Sequence, residues 1–214
     1  MRNFVKSPVK SAHFKSIVAA SFAFGLFMQA HAAHAVVTVM GQGMAQNCYE
    51  TALALSLGFP APDLVYTGSL IDPKPIDVCT LAIANEQLVG HDLAGTYVNR
   101  GVLYFLGGDY VTALRDFDQA VATDGTIGES YANRGAALVA LHQWAPGLEA
   151  LSKGLELGSS EPEKSYYNRA IANEELGKVK DAYYDYTKAA ELKGDWDAPK
   201  VQLTRFTVKR KTGT

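Results

Sequence analysis

Apolar side chains recur with helical spacing through the second half of the chain. In VTALRDFDQAVA, residues 111–122, they stand at Ala113, Leu114, Phe117, Ala120 and Val121. Steps of three and four residues place such side chains on one face of an amphipathic helix. PGLEALSKGLEL and DAYYDYTKAAEL repeat this spacing, and each of the three stretches follows another periodic stretch and a short turn signal: GGDY, LHQW or LGKV. The pattern predicts three helix–turn–helix pairs.

A short string marks the first helix of each pair. YVNRG begins at Tyr97, YANRG at Tyr131 and YYNRA at Tyr166. The intervals are 34 and 35 residues, and a period in the thirties is typical of stacked helical repeats. One pair cannot bury its apolar face alone, so we expect the pairs to stack on one another.

At these residues the chain resembles the tetratricopeptide repeat family, whose pattern combines aromatic and small residues at fixed spacings. The matching positions are Tyr97, Gly101, Phe117, Ala120, Tyr131, Gly135, Tyr166, Ala170, Tyr186 and Ala189. The resemblance implies an all-α fold, an α-solenoid of stacked antiparallel helix pairs, with repeats at 94–127, 128–162 and 163–195. The chain departs from the family pattern because each repeat lacks the terminal proline, which is replaced by Gly125, Ser159 and Gly194.

Two further segments flank the repeats. Residues 36–93 contain MAQNCYETALALSLG and PIDVCTLAIANEQLVG, which predict an N-terminal helix pair with a long Pro-rich loop. This pair is compatible with a degenerate repeat that caps the stack. Residues 196–214 predict a C-terminal capping helix and a basic tail. We expect Leu203 and Phe206 to cover the apolar face of the last repeat.

The two cysteines, Cys48 and Cys79, both lie in the N-terminal helix pair. In an exported chain an even pair is most simply one disulfide, here between two antiparallel helices. The alternative is two buried free thiols. Neither cysteine has another Cys or His at zinc-ligand spacing, so no metal site is predicted.

The first 35 residues read as a secretory signal peptide. A basic start without acidic residues precedes the apolar run Ser16–Ala30, and AHAAHA then offers cleavage after Ala35 or Ala32. The apolar run is shorter than the roughly 20 residues of a membrane-spanning helix, although an uncleaved anchor is the competing interpretation. We therefore expect a periplasmic or secreted protein without a stable membrane anchor after cleavage; the use of the family in Gram-negative envelopes favours the periplasm.

The charge of the processed chain argues against one class of partner. The leader holds four of the 20 basic residues and none of the 22 acidic ones, so its removal leaves a formal charge near −6. Duplex binding relies on basic side chains that neutralise phosphates. No nucleic-acid partner is predicted.

The asparagine of the repeated string has a functional interpretation that rests on the resemblance. Asn99, Asn133 and Asn168 stand two residues before the small residue, in the slot that faces the concave groove. They resemble the asparagine ladder of the O-GlcNAc transferase repeats, where amides hold the backbone of an extended peptide. The alternative is local bonding between repeats. Tyr167 and Tyr184 lie one step off the packing positions and are candidates for presenting rings to a partner.

The arginine that follows needs an acceptor, because it occupies a slot where the family usually has leucine. Asp116 and Asp185 occupy equivalent places on the second helices, so we expect the structural pairs Arg100–Asp116 and Arg169–Asp185. Ala150 stands at that place in the second repeat, so Arg134 is expected to use Asp116 or Glu149. The rival interpretation is that these arginines bind an anion in the groove.

Catalytic motifs are not evident in the sequence. His91 and His142 have no candidate nucleophile beside them, and neither G-x-S-x-G nor a phosphate-binding loop occurs. We predict no enzymatic activity and no cofactor. The predicted function is binding of a protein or peptide partner in the concave groove; the alternatives are a structural scaffold that binds through terminal or convex surfaces, and an enzyme-regulating subunit.

Overall fold

A computed structural model of the protein describes residues 2–6, 36–39, 43–58 and 74–210. Within these residues the chain forms nine helices and two short strands. The helices are α1 (Met44–Ser56), α2 (Pro75–Asn85), α3 (Gly90–Leu106), α4 (Tyr110–Thr123), α5 (Gly128–Ala140), α6 (Trp144–Glu156), α7 (Pro162–Glu175), α8 (Val179–Leu192) and α9 (Asp197–Leu203). The strands are β1 (Arg2–Lys6) and β2 (Phe206–Arg210).

The helices stack as antiparallel pairs. Helix α3 packs on α4, α5 on α6 and α7 on α8, and the second helix of each pair packs on the first helix of the next. Helices α1 and α2 pair with each other, and both contact α3. The predicted α-solenoid of stacked helix pairs is therefore confirmed.

The turn inside each repeat requires one residue with positive φ. Gly108, His142 and Gly177 occupy this position with φ of 82°, 59° and 73°. Glycine adopts such a conformation without steric cost, whereas histidine does not. Asp109 then caps α4, because its carboxylate accepts a hydrogen bond from the backbone N–H of Thr112 at 3.1 Å.

Helix pairs approach closely where the repeated string places its small residue. A Cβ atom on Gly101 would lie 2.5 Å from the Phe117 ring, and one on Gly135 would lie 2.5 Å from Leu151 Cγ. In the second repeat, glycines also stand on the facing helix at Gly147 and Gly154, so backbone meets backbone between α5 and α6.

The N-terminal helix pair is held by the predicted disulfide. Cys48 and Cys79 are bonded, with their Cα atoms 4.8 Å apart. Both are fully buried and pack with Ala52 and Leu103, which joins the bridge to the first repeat. The prediction of one disulfide is confirmed.

The C-terminal end of the stack is closed by α9 and the residues that follow it. Trp196, Leu203 and Phe206 pack against the apolar cluster that contains Tyr167 and Tyr186. A partly buried polar contact reinforces the cap, because Arg205 donates to Glu174 at 2.6 Å and Tyr186 donates to the same carboxylate oxygen at 3.1 Å.

Strand pairing was not expected from the sequence. Strands β1 and β2 pair antiparallel, with Arg2 opposite Arg210 and Lys6 opposite Phe206. The aromatic and β-branched residues of FTV at 206–208 favour an extended conformation.

Several expectations concern residues outside the described part of the chain. They are the signal peptide apart from β1, with its cleavage sites, and the Pro-rich loop within 59–73. Among the residues that are described, no helix combines the length and the apolar character that crossing a bilayer requires.

Candidate functional site

The first helices of the three repeats form one continuous surface. Helix α3 contacts α5 and α5 contacts α7, whereas successive second helices make fewer contacts with one another or none. The stack therefore curves with its first helices on the inner side. We call the surface of α3, α5 and α7 that carries Asn99, Asn133 and Asn168 the groove.

Asn99 binds the backbone of an extended segment of its own chain. Its Nδ2 donates to the carbonyl oxygen of Val37 at 2.8 Å, and the N–H of Val37 donates to its Oδ1 at 2.9 Å. A side-chain amide offers one donor and one acceptor in the arrangement of a peptide group, so it can pair with any main chain. The side chain of Asn99 is fully buried by this contact.

The segment bound in this way is Val36–Val39. Val37 and Val39 are 5% and 1% exposed, whereas Thr38 between them is exposed. This alternation is that of a β-strand, in which successive side chains point to opposite sides. Gly95 permits the approach, because a Cβ atom there would lie 2.9 Å from Val37 Cγ1 and 3.2 Å from Val39 Cγ2.

Asn133 and Asn168 occupy the equivalent positions on α5 and α7, and both are buried. Apolar side chains flank each asparagine one residue before it and three residues after it. These flanking residues are Val98 and Val102, Ala132 and Ala136, and Tyr167 and Ile171. The groove is thus apolar around its amides. Asn133 and Asn168 are 1% and 3% exposed, so a partner would reach their side chains only if neighbouring side chains moved, and their partner-binding role stays a prediction.

The arginines of the repeated string point to the second helices. Arg100 donates from Nε and NH2 to the two carboxylate oxygens of Asp116, at 2.8 and 2.7 Å. Its NH1 also donates to Thr80 Oγ1 of α2 at 3.3 Å. Hydrogen bonding to Asp116 raises the pKa of the Arg100 guanidinium above its ordinary value.

The third repeat reproduces this arrangement. Arg169 donates to both oxygens of Asp185 at 2.9 and 2.7 Å, and to Ser152 Oγ of α6 at 3.4 Å. Burial lowers the pKa of Arg169, but the hydrogen bond and charge of Asp185 raise it more, so the net shift is upward. Arg100 and Arg169 each join three helices, which supports a structural role and not anion binding in the groove.

The second repeat differs from the expectation. Arg134 donates to Asp118 Oδ1 at 2.6 Å, and not to Asp116 or Glu149. Asp116 already forms an ion pair with Arg100, and Ala150 stands where Asp116 and Asp185 stand in the other repeats. The pair is open to solvent, with Arg134 and Asp118 side chains 33% and 48% exposed.

The structure corrects the expectation for Tyr167. This side chain was a candidate for presenting its ring to a partner, but it is only 2% exposed. Its ring packs on Tyr186 and Trp196, with centroids 5.5 and 4.8 Å apart, and its hydroxyl accepts a hydrogen bond from Gln202. The cap that follows the last repeat covers it, so Tyr167 is part of the core.

The family pattern implies that Tyr97, Tyr131 and Tyr166 fill spaces between helices, but all three are only half-buried. For Tyr97 and Tyr166, a neighbouring guanidinium group explains the position. Arg100 lies 5.7 Å from the centre of the Tyr97 ring, and Arg169 lies 5.1 Å from that of Tyr166. Each ring thus packs on the cation three residues later, at a distance typical of cation–π contacts.

Sequence reasoning missed Gly95 and the segment Val36–Val39. Gly95 stands four residues before Asn99, one helical turn away on the same face. The alternation in Val-Val-Thr-Val was visible, but it spans too few residues to predict a binding partner.

In the described ranges, no group of three or more His, Cys, Asp or Glu side chains is placed to hold a metal ion. The carboxylates of Asp116 and Asp185 are engaged by arginines, and that of Glu86 caps α1 by accepting from Met44 and Ala45 N–H at 2.6 and 2.8 Å.

Comparison with known proteins shows likeness at the level of structure. No family model and no curated protein matches the chain. The first tetratricopeptide repeat domain of Spaghetti (RPAP3), solved with an HSP90 peptide SRMEEVD, matches with a TM-score of 0.51 and 24% identity. The match covers 55% of this chain and 94% of that domain. The first such domain of human RPAP3 matches with a TM-score of 0.49 and 24% identity, over 52% and 87% of the two chains. The chain therefore has the fold of a tetratricopeptide repeat protein.

Proposed function

We propose that this protein is a binding module that holds an extended segment of a partner protein along its groove. The observation that carries the proposal is the paired hydrogen bond between Asn99 and the main chain of Val37. It demonstrates that an asparagine at this repeat position can bind an extended backbone. The same residue type recurs at Asn133 and Asn168, at successive steps of the stack.

The chemistry of the groove indicates what kind of segment fits. Amides recognise main chain irrespective of the partner's side chains, and the surrounding aliphatic side chains favour apolar residues. The RPAP3 domain of the same fold was solved with a bound peptide, which supports peptide binding as the function of this chain.

The proposal includes export. A basic start followed by an apolar run supports a cleaved leader, and the Cys48–Cys79 bridge is of the kind that persists in oxidising compartments. We expect the processed protein to begin near Val36 in the periplasm or outside the cell. N-terminal sequencing of the native protein tests this, and Met1 intact in a membrane fraction would contradict it.

Pull-down from the native envelope with immobilised variants tests the binding role. Asn133→Ala and Asn168→Ala should each reduce capture of the partner at least tenfold, because a buried amide that pairs with main chain is lost. Tyr184→Ala tests the rival outer surface, since this exposed ring lies on the second helix α8. If Tyr184→Ala abolished capture and both asparagine variants retained it, binding would occur on the outer surface and the proposal would fail.

Thermal melts of the same variants separate binding from folding. We expect Asn133→Ala to melt close to the parent protein. Should it melt as early as a core variant while its folded fraction still captured the partner, the asparagine would be part of the packing and not of the binding surface.

A further inference from the structure

We propose that Val36–Val39 is an intramolecular ligand of the groove, and that the position formed by Gly95 and Asn99 is a site for extended peptides with β-branched aliphatic residues at alternate positions. The inference rests on the proposed function of the groove. Beyond that function, it identifies the segment that occupies the groove at Asn99 and the side-chain pattern that this position binds.

The main-chain contacts are those expected of a bound peptide. Val37 exchanges two hydrogen bonds with Asn99, at 2.8 and 2.9 Å, although the two residues are 62 positions apart in the chain. Short helices and turns satisfy most backbone groups locally, whereas here a side chain satisfies both groups of one residue. This is the way in which a strand is added to a surface that offers a peptide-like edge.

The side-chain contacts define the preferred pattern. Val37 enters the apolar cluster of the first repeat with Val98 and Val102, and Val39 enters the cluster of Ala45 and Ala82. Two pockets two residues apart, with Thr38 exposed between them, select a small branched side chain at each. Because Gly95 has no side chain, Val37 and Val39 can both pack closely against α3 at this residue.

The position of the segment relates it to the rest of the groove. Val36 and Val39 pack against the clusters of the N-terminal helix pair, while Val37 packs in the cluster of the first repeat. A partner segment that follows Asn133 and Asn168 would meet this occupant at Asn99, and the two would compete for the first position.

A competition experiment tests the inference with the full chain. The probe is a fluorescein-labelled synthetic peptide of residues 35–40, AVVTVM, extended by two lysines for solubility. A carboxylate at Val37 cannot be buried without cost, so Val37→Asp should free the site. We expect the labelled peptide to bind Val37→Asp at least tenfold more tightly than the parent protein. Thr38→Asp adds the same charge at the exposed position and should bind the peptide as the parent does.

Two further measurements complete the test. Adding Asn99→Ala to Val37→Asp should return peptide binding to the parent level, and a peptide with serine in place of Val37 and Val39 should not bind. Equal binding of AVVTVM to the parent and to a folded Val37→Asp protein would overturn the inference, as would retention of tight binding without Asn99.

Hydrogen exchange keeps the inference testable if Val37→Asp does not fold. Asn99→Ala should accelerate exchange of the Val37 amide at least tenfold, whereas Asn168→Ala should leave it unchanged. An unchanged Val37 amide in Asn99→Ala would overturn the inference. Loss of partner capture in Asn133→Ala and Asn168→Ala without any binding of AVVTVM would leave the proposed function standing and remove only this inference. Binding of AVVTVM to Val37→Asp with unchanged partner capture in the two asparagine variants would support this inference and contradict the proposed function.

Discussion

Each residue of the string Tyr-x-Asn-Arg-small has a separate role in the structure. In the first repeat, Asn99 binds the main chain of Val37, Arg100 binds Asp116, and Gly101 allows close contact with the Phe117 ring. Tyr97 packs on the guanidinium of Arg100. Of three consecutive residues of α3, Asn99 therefore faces the groove, Arg100 bonds to a carboxylate of α4, and Gly101 lies where α3 and α4 pack closely.

The arginine pairs could be predicted because the information is local and repeated. Arg100 and Asp116 are 16 residues apart, and so are Arg169 and Asp185. A fixed separation within a repeated helix pair places two side chains in the same relation each time. The partner of Asn99 could not be predicted in this way, since Val37 lies outside the repeats and 62 residues away.

At the residue scale we predict that Asp116→Ala destabilises the protein far more than Asp118→Ala. Asp116 is 4% exposed, and its removal leaves a mostly buried guanidinium without its carboxylate. The expected loss is about 2–4 kcal/mol in the free energy of unfolding. The pair of Arg134 with Asp118 is open to solvent, so Asp118→Ala should cost about 0–1 kcal/mol. Denaturant titrations of the two variants provide the comparison, and equal midpoints would show that the buried pair contributes no more than the exposed one.

The helix pairs were predicted well because their apolar spacing is long and regular, and their ends carry turn residues. GGDY, LHQW and LGKV end α3, α5 and α7 as expected. The C-terminal residues were predicted less well. FTVKR is too short and too mixed for its periodicity to distinguish a helical turn from a strand. The burial of Tyr167 depends on Trp196, which belongs to the following cap and not to the repeat.

At the element scale we predict that Gly135→Ala destabilises more than Gly101→Ala. A methyl group at Gly135 would lie 2.9 Å from the backbone nitrogen of Leu151 and 3.1 Å from the carbonyl oxygen of Gly147, as well as against Leu151 Cγ. The backbone of α6 would have to move, with an expected cost of about 1–3 kcal/mol. At Gly101 the three nearest atoms belong to the Phe117 ring, which can rotate. Thermal melts measure the difference, and a larger loss for Gly101→Ala would contradict the backbone argument.

The two ends of the solenoid are closed by different means. The N-terminal pair α1 and α2 carries a disulfide and supports Val39, whereas the C-terminal end uses α9 and the contact of Arg205 with Glu174. Terminal repeats of a solenoid have one face without a neighbour and are stabilised by such caps.

At the scale of the whole molecule, the disulfide should stabilise the N-terminal end. The bridged residues are 31 positions apart, and closing a loop of that length contributes about 3–4 kcal/mol in the chain-entropy model. Replacing both Cys48 and Cys79 by alanine should lower the denaturation midpoint and accelerate hydrogen exchange first in α1 and α2. Thiol labelling of the native protein, denatured without reduction, should detect no free thiol. Two labelled cysteines would contradict a bridge in the native protein.

The tyrosines under the C-terminal cap should make the whole fold sensitive to alkaline pH. Burial raises the pKa of Tyr186 far above its ordinary value, and burial also raises the pKa of Tyr167. A raised pKa in the folded state means that stability is fully present below the unfolded pKa, near 10, and is lost as the pH rises above it. Each such tyrosine contributes a slope of about 1.4 kcal/mol per pH unit in that range.

Tyr186→Phe tests this expectation, because phenylalanine keeps the ring but cannot ionise. The variant should lose about 1 kcal/mol at pH 8, where the hydrogen bond of the Tyr186 hydroxyl to Glu174 is removed. Between pH 10 and 11.5 its free energy of unfolding should fall less steeply than that of the parent, so that the two curves converge. Tyr184→Phe, at a side chain that is 48% exposed, is the control and should keep the parent slope. Urea titrations at closely spaced pH values measure the slopes, and parallel curves for Tyr186→Phe and the parent would show that Tyr186 does not ionise on unfolding in this range.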